Sequence, residues 1–294
     1  LNMAKVHATA PKLYAELEEE TGLSAGWHST GAIRLALSEN EVDWFRYVNG
    51  MLSLVGVESH LISPTEILDH HPLLDISDVK HGFWTPNDGW SDPTSSTNAM
   101  AKGARQLGAE VARHTLVTDM NLLPDGRWEV ITDKGPVIAE HVVNAAGCYA
   151  PQLGKMVGYE VPIVSVIHQY LVTEAIPEVA ELDFDLPVIR DPRASCYYRR
   201  EIDGLIVGPY EREGAELYGV DGIDWDLHFY LTPPNHDVLL PWLELAAKRI
   251  PVFAEAGIHT TVSGPITHTP DSGYLMGPAP GLRNYWVCAG ASIG

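Results

Sequence analysis

Three short stretches carry residue types that could do chemistry. His168-Gln169-Tyr170 puts an imidazole, an amide and a phenol on consecutive positions of a strand-like run. A neutral imidazole there can take or give a proton near pH 7. More often, a lone strand histidine is a satisfied core or edge residue. Tyr197-Tyr198-Arg199-Arg200 also alternates, so Tyr197 and Arg199 share one face and Tyr198 and Arg200 the other. Such a row serves a polar site or cross-strand packing with exposed arginines. Val142-Val143-Asn144-Ala145-Ala146-Gly147 runs an apolar strand into small residues, with a helix behind it from Ala150. That is how α/β proteins let backbone approach a ligand at a sheet edge, and also how a strand packs tightly against a helix.

Other patterns lead less far. Gly290 to Gly294 matches G-x-S-x-G, but a nucleophile elbow needs a helix, an acid and a histidine after it, and the sequence stops there. There is no H-E-x-x-H and no Walker lysine loop. His70-His71 beside Asp69 reads as a solvated pair rather than a metal site. The glycine-rich G-x-G-x-x-G is absent, which taken alone argues against a dinucleotide cofactor. That motif belongs at the very start of such a domain, however, and this chain reads as a fragment. It opens in a helical pattern without a signal or transit sequence, and stops in a small-residue loop after an apolar strand.

The elements that must position these residues follow from periodicity. A helix is expected over the first twenty or so residues, interrupted at Pro11 and closed by Gly22. Gly31 to Leu37 alternates as a strand, and Glu39 to Val55 returns to a helical period with Val42, Phe45, Val48 and Leu52 inward. Asp92-Pro93 is the clearest helix start: the carboxylate accepts free amides, and proline has none to waste at the first position. Ala109 to Val111 reads as a short strand. Thr115–Leu122, Arg127–Thr132 and Pro136–Ala139 form an antiparallel meander, separated by Pro124-Asp125-Gly126 and Asp133-Lys134-Gly135. Further strands are expected at Val161–Thr173, Pro187–Arg190, Ser195–Arg200, Leu205–Pro209, Gly257–Val262 and Asn284–Cys288, with a helix at His236–Arg249 bent or broken near Pro241. Gly264-Pro265-Ile266-Thr267 and Met276-Gly277-Pro278 bracket Thr269-Pro270-Asp271, which predicts a rigid loop or turn cluster.

Composition sets the bounds. With 294 residues, 45% of them hydrophobic, the chain can build one large domain or two of middle size. Nineteen basic against 39 acidic residues give a net charge of -20, which repels phosphate backbones and anionic lipid. Cys148, Cys196 and Cys288 are odd in number and far apart, so neither a disulfide framework nor a zinc site is expected. No apolar run reaches the length of a membrane span.

Taken together, the segments resemble the dimethylglycine and sarcosine dehydrogenase branch of the D-amino-acid-oxidase-type flavoproteins. The likeness is carried by Leu17-Glu18-Glu19-Glu20-Thr21-Gly22, Gly31-Ala32-Ile33-Arg34-Leu35-Ala36, Asn144-Ala145-Ala146-Gly147, His168-Gln169-Tyr170 and Tyr197-Tyr198-Arg199. Gly208-Pro209-Tyr210-Glu211, Gly264-Pro265-Ile266-Thr267 and Arg283-Asn284-Tyr285-Trp286-Val287 continue it in family order. The resemblance implies an α/β fold, a dinucleotide-type FAD-binding domain (1–25, 86–160 and 263–294, incomplete) interleaved with a β-rich substrate domain (26–85 and 161–262), with FAD extended between them. It implies that Val117 meets the adenine side, that Ala146, Gly147 and Tyr149 line the flavin crevice, and that Gly290, Ile293 and Gly294 begin a small-residue loop against the flavin ring. Tyr149 departs from the family's usual tryptophan, and Ser272-Gly273-Tyr274-Leu275 from its Leu-Pro pattern after Asp271. His168 and Tyr197 match the family's catalytic, substrate-side pair.

The implied reaction is FAD-dependent oxidative N-demethylation of a small N-methyl amino acid such as dimethylglycine or sarcosine, with an electron-transfer flavoprotein or oxygen as acceptor. Some members continue into a folate module. The fragment by itself is expected to be inactive. The location implied is bacterial cytoplasm, or the mitochondrial matrix in a eukaryote. Two alternatives stand beside this: another amine or amino-acid oxidase of the same fold, and a non-catalytic remnant that cannot hold FAD.

Overall fold

The computed structural model describes residues 2–227 and 231–291. Helix α1 (Asn2–Thr21) leads to β1 (Trp27–His28), β2 (Ala32–Ala36), α2 (Glu39–Ser53), β3 (His60–Ile62), α3 (Pro64–His70), β4 (His81–Thr85), β5 (Trp90–Ser91) and α4 (Pro93–Gln106). Strands β6 (Val117–Leu122), β7 (Trp128–Thr132), β8 (Gly135–Ala139) and β9 (Val142–Asn144) follow, then a 3-10 turn (Gly147–Tyr149) and α5 (Ala150–Met156). Next come β10 (Val164–Thr173), α6 (Pro177–Ala180), β11 (Val188–Asp191), β12 (Cys196–Glu201), β13 (Gly204–Pro209), β14 (Leu217–Tyr218) and α7 (His236–Arg249). A second 3-10 turn (Pro251–Glu255) and strands β15 (Ile258–His268), β16 (Leu275–Pro278) and β17 (Tyr285–Ala289) complete the described chain.

Local chemistry sets the helix starts. Ser38 accepts from the Glu41 amide while the Glu41 carboxylate takes the Ser38 amide, and Ser63 with Glu66 repeats this capping box. Asp92 accepts from the Ser95 amide at 2.7 Å, with Pro93 at the first helical position. Helices α1 and α7 run through Pro11 and Pro241, where an interruption was expected. Proline costs one intrahelical bond and a clash, and α7 continues through it to Arg249 with Leu239 and Ala246 buried. The strand expected at Ala109–Val111 is absent. The Ala109 amide instead closes α4 on the Ala104 carbonyl. The expected corner cluster is also different: Gly264-Pro265-Ile266-Thr267 lies within β15 and Met276-Gly277-Pro278 within β16. β16 is an edge strand in the order β16-β17-β9, where a proline without an amide is tolerated.

The molecule divides into two compact units. The first comprises Leu1–Val111, Gln169–Glu211 and Asn235–Val262. Its sheet runs in the order β10-β13-β12-β11-β2-β4-β3, antiparallel throughout except between β11 and β2. One face buries Ile33, Leu35, Leu171, Ile189, Tyr198, Leu205 and Val207 together with Ala246 and Ile250. On the other face, α2 lays Val42 and Phe45 on Ala36 and Phe83. The His70-His71 pair is not solvated as expected. His70 stacks on Trp84 with 4.5 Å between ring centres, and His71 is fully buried.

The second unit comprises Ala112–His168, Arg212–Pro234 and Ser263–Gly294. It holds the antiparallel meander β6-β7-β8 and the sheet β16-β17-β9, in which β9 and β17 are parallel. Trp128 anchors its core. The indole packs on Tyr285 and donates to the Arg283 carbonyl at 2.9 Å. Among the described residues, no helix is long and apolar enough to cross a membrane.

Candidate functional site

In the second unit the parallel pairing of β9 with β17 brings two small-residue turns out at one sheet edge. Val142, Val143 and Asn144 pair with Tyr285, Trp286 and Val287, so Ala145-Ala146-Gly147 and Gly290-Ala291 leave the sheet in the same direction. Asn144 builds the first turn. Its buried side chain donates to the Ala150 carbonyl at 2.9 Å and accepts from the Ala146 amide at 3.3 Å. Gly147 has φ 57°, and the space a Cβ would take is open to 4 Å. Ala145 and Gly147 are exposed, so their backbone can be approached. This is the crevice outside the carboxyl ends of parallel strands where α/β folds hold nucleotides, and it fits a dinucleotide cofactor. Gly290 is a glycine for another reason. At φ 72° a Cβ would come 2.4 Å from Thr269 Cγ2, so packing decides it.

The other residues expected on the cofactor side belong to the same unit. Val117 starts β6 beside a bulge between Val117 and Asp119, half-buried. Tyr149 sits in the 3-10 turn, but its hydroxyl donates to the Leu227 carbonyl at 2.5 Å and its ring stacks on Trp225. Ile293 and Gly294 lie outside the described residues. His168, on β10, has His268 of β15 edge-on at 5.6 Å between ring centres. Burial first, and His168 second, hold His268 below the usual imidazole range.

In the first unit Tyr197 belongs to a row across the sheet. The register runs Arg34 on β2, Arg190 on β11, Tyr197 on β12 and Gly208 on β13, each opposite the next. Paired residues share a face, and it is the face opposite the Ile33–Tyr198 core. Arg190 sits 5.3 Å from the centre of the Tyr197 ring and reaches the Tyr210 hydroxyl at 3.4 Å. Burial, ahead of neighbouring tyrosines, raises the Tyr197 pKa, so its hydroxyl stays a donor at neutral pH. Arg34, Gly208 and Tyr210 stood within segments that carry the resemblance but were given no site role, and neither were Arg190 and His268. The signal for Arg34 was there, since it is the one charged residue in the otherwise apolar β2, whereas Arg190 is followed by Asp191 in β11. Among the described residues no group of three or more His, Cys, Asp and Glu is placed to hold a metal ion.

Comparison with known proteins shows the family. A family model described as FAD dependent oxidoreductase matches residues 1–294. The mitochondrial dimethylglycine dehydrogenase of Mus musculus is 42% identical over 298 residues, covering 100% of this chain and 34% of that protein. The mitochondrial sarcosine dehydrogenase of Homo sapiens is 34% identical over 288 residues, covering 94% of this chain and 30% of that protein. The crystal structure of L-proline dehydrogenase from P. horikoshii matches with a TM-score of 0.81 at 28% identity, covering 98% of this chain and 73% of that one. The chain spans about a third of the length of the curated relatives it matches. A family match along its whole length, on a mixed helix and sheet fold shared with that dehydrogenase, places this chain in the D-amino-acid-oxidase-type family of FAD-dependent oxidoreductases.

Proposed function

We propose that the protein carrying this chain oxidises the N-methyl group of a small N-methyl amino acid, dimethylglycine or sarcosine. The observation that carries this reading is the 42% identity to a dimethylglycine dehydrogenase over the whole of this chain. In this reading residues 1–25, 86–160 and 263–294 serve the cofactor, and 26–85 and 161–262 the substrate. Val117, Ala146, Gly147, Tyr149, Gly290, Ile293 and Gly294 hold FAD, which when bound supplies the two-electron acceptor for the C–H bond. Tyr149 can offer only its ring, because its hydroxyl is already committed to the Leu227 carbonyl.

The protein's part is orientation and proton control. The substrate amine must be neutral to release a hydride from its methyl carbon. His168 takes or shares that proton, and burial lowers the pKa of its neighbour His268, which favours the uncharged ring beside it. Tyr197 positions the substrate through a hydroxyl kept protonated, or through its ring against the methylated nitrogen. The imine product hydrolyses to formaldehyde and the demethylated amine, or passes to a folate module. Electron-transfer flavoprotein or oxygen then takes the electrons. The two dehydrogenases above are named as mitochondrial, in keeping with a matrix location if the source is eukaryotic.

An anaerobic titration of the intact protein with dimethylglycine, read by flavin absorption, tests this. Bleaching of the oxidised flavin is the expected result. A bound flavin that stays oxidised moves the substrate elsewhere in the family, and a protein that binds no flavin removes the reading.

A further inference from the structure

Helix α2 of the first unit carries two apolar stripes. Val42, Phe45, Val48 and Leu52 pack against the sheet at Ala36 and Phe83. On another side of the helix, Trp44, Tyr47, Met51 and Leu54 recur at the three-and-four spacing of a helix that meets a second helix. This stripe is uncovered: Trp44 is 59% exposed, Tyr47 58% and Leu54 72%, with Met51 half-buried between them. Among the described residues no other phenylalanine, tyrosine or tryptophan is as exposed as Trp44 and Tyr47. Their rings stack at 5.4 Å between centres and form one apolar surface. From Tyr47 to Val57 there is no charged residue, in a chain that is 20% charged. A contiguous apolar surface of this kind marks a place where another surface docks.

The stripe is complementary to itself. When two copies of α2 cross antiparallel about a twofold axis near Asn49, Trp44 meets Leu54 of the other copy and Tyr47 meets its Met51. Each layer sets a large side chain against a smaller one, and the same patch serves both copies. Gly50, exposed and with nothing within 4 Å of a Cβ, stands beside that axis and leaves room for close approach. Charge selects the direction. Glu39, Glu41 and Asp43 gather in the first half of the helix. An antiparallel pair lays each acidic half against the other copy's uncharged half, whereas a parallel pair opposes acid to acid. The exposed side chains offer about 400 Å² per copy, so that two copies with their rim approach the roughly 1,000 Å² of a weak but specific interface. We propose that a second copy of this chain docks on the α2 face, antiparallel, through Trp44, Tyr47, Met51 and Leu54, and that the protein forms a reversible dimer.

Sedimentation velocity of the intact protein across the micromolar range tests this. The parent should pass from monomer to dimer as its concentration rises. Trp44→Glu and Leu54→Lys should each weaken the dimer at least tenfold. Mixing these two variants should restore it. In the mixed pair the new carboxylate meets the new ammonium, and the unchanged tryptophan meets the unchanged leucine. A parent that stays monomeric overturns the proposal, as does a dimer that neither variant weakens. Weakening by both variants without recovery on mixing overturns the antiparallel register. Should either variant fail to fold, Gly50→Cys, which keeps the stripe, reads the face directly. Its maleimide labelling, located by peptide mapping, should slow as protein concentration rises. Labelling that is fast at every concentration leaves the face bare and overturns the dimer. Labelling that is slow at every concentration in a monomer places another part of the protein over α2 and overturns it equally.

Discussion

The ring of Tyr197 lies across the backbone of Gly208: a Cβ on Gly208 would come 2.1 Å from Tyr197 Cε1 and 2.6 Å from its hydroxyl. Gly208 sits one residue from the end of β13, opposite Tyr197 on β12. The glycine weakens its own strand and gives the tyrosine a flat bed. Gly208→Ala should therefore act on the ring. Overpacking there should cost about 1–3 kcal/mol, and the cost should vanish when Tyr197 is also changed to Ala. A double-mutant cycle on urea unfolding measures the coupling. Additive effects would mean that the ring and the glycine are independent.

His71 gives the fold a sensitivity to acid. Both ring nitrogens are buried without a hydrogen-bond partner among the described residues, and burial pushes the pKa down from 6.5 to about 4. The unfolded chain then binds more protons than the folded one between these values. The stabilising contribution is complete above about pH 6.5 and is lost as pH falls toward 4, reaching about 3 kcal/mol. His71→Leu should flatten that part of the stability–pH curve. An unchanged slope in denaturant unfolding between pH 6.5 and 4.5 would show that other groups carry it.

Much of the framework was legible in the sequence because it rests on local chemistry. Asp92-Pro93 starts a helix whatever surrounds it, and the turns at Pro124-Asp125-Gly126 and Asp133-Lys134-Gly135 separate a real meander. Val42, Phe45, Val48 and Leu52 lie on one helical stripe and pack together. What failed depends on partners distant in sequence. Gly264-Pro265 looks like a corner until a neighbouring strand is known, and His70-His71 looks solvated until α3 closes on the sheet. The arginine row shows the same limit. Arg34 and Arg190 are each visible within a strand, but their pairing is a fact of β2 lying parallel to β11, 156 positions apart in numbering.

Tyr149 ties a loop of the second unit to the start of α5. Its hydroxyl donates to the Leu227 carbonyl with the Asp224 carbonyl 3.2 Å away, its ring stacks on Trp225 at 5.4 Å, and Gln152 both donates to the Ile223 carbonyl and accepts its amide. Tyr149→Phe keeps the stack and removes the hydroxyl bond to Leu227, at a cost of about 1 kcal/mol. Amide exchange at Ile223 to Leu227 should quicken several-fold, with the meander unchanged. Equal quickening in both regions would point to global destabilisation instead.

The buried charges behind the Tyr197 strand set the last expectation. Arg249, 4% exposed, donates to Asp191 at 2.9 Å and to Asp78 at 2.8 Å, and Asp191 also accepts from the Tyr198 hydroxyl. Asp191 is 2% exposed, so its charge depends on Arg249 for compensation. Removing one partner of a buried pair leaves the other charge stranded, and Arg249→Met should cost about 3–5 kcal/mol. Adding Asp191→Asn removes that charge and should return part of the loss, though Asp78, partly solvated, will keep its own. Tyr198 is the neighbour of Tyr197 on β12, so a loosened Asp191 should also disturb the ring lying on Gly208. Chemical denaturation of the two variants separates these effects: a double variant less stable than Arg249→Met alone would show that Asp191 contributes by hydrogen bonding rather than by charge.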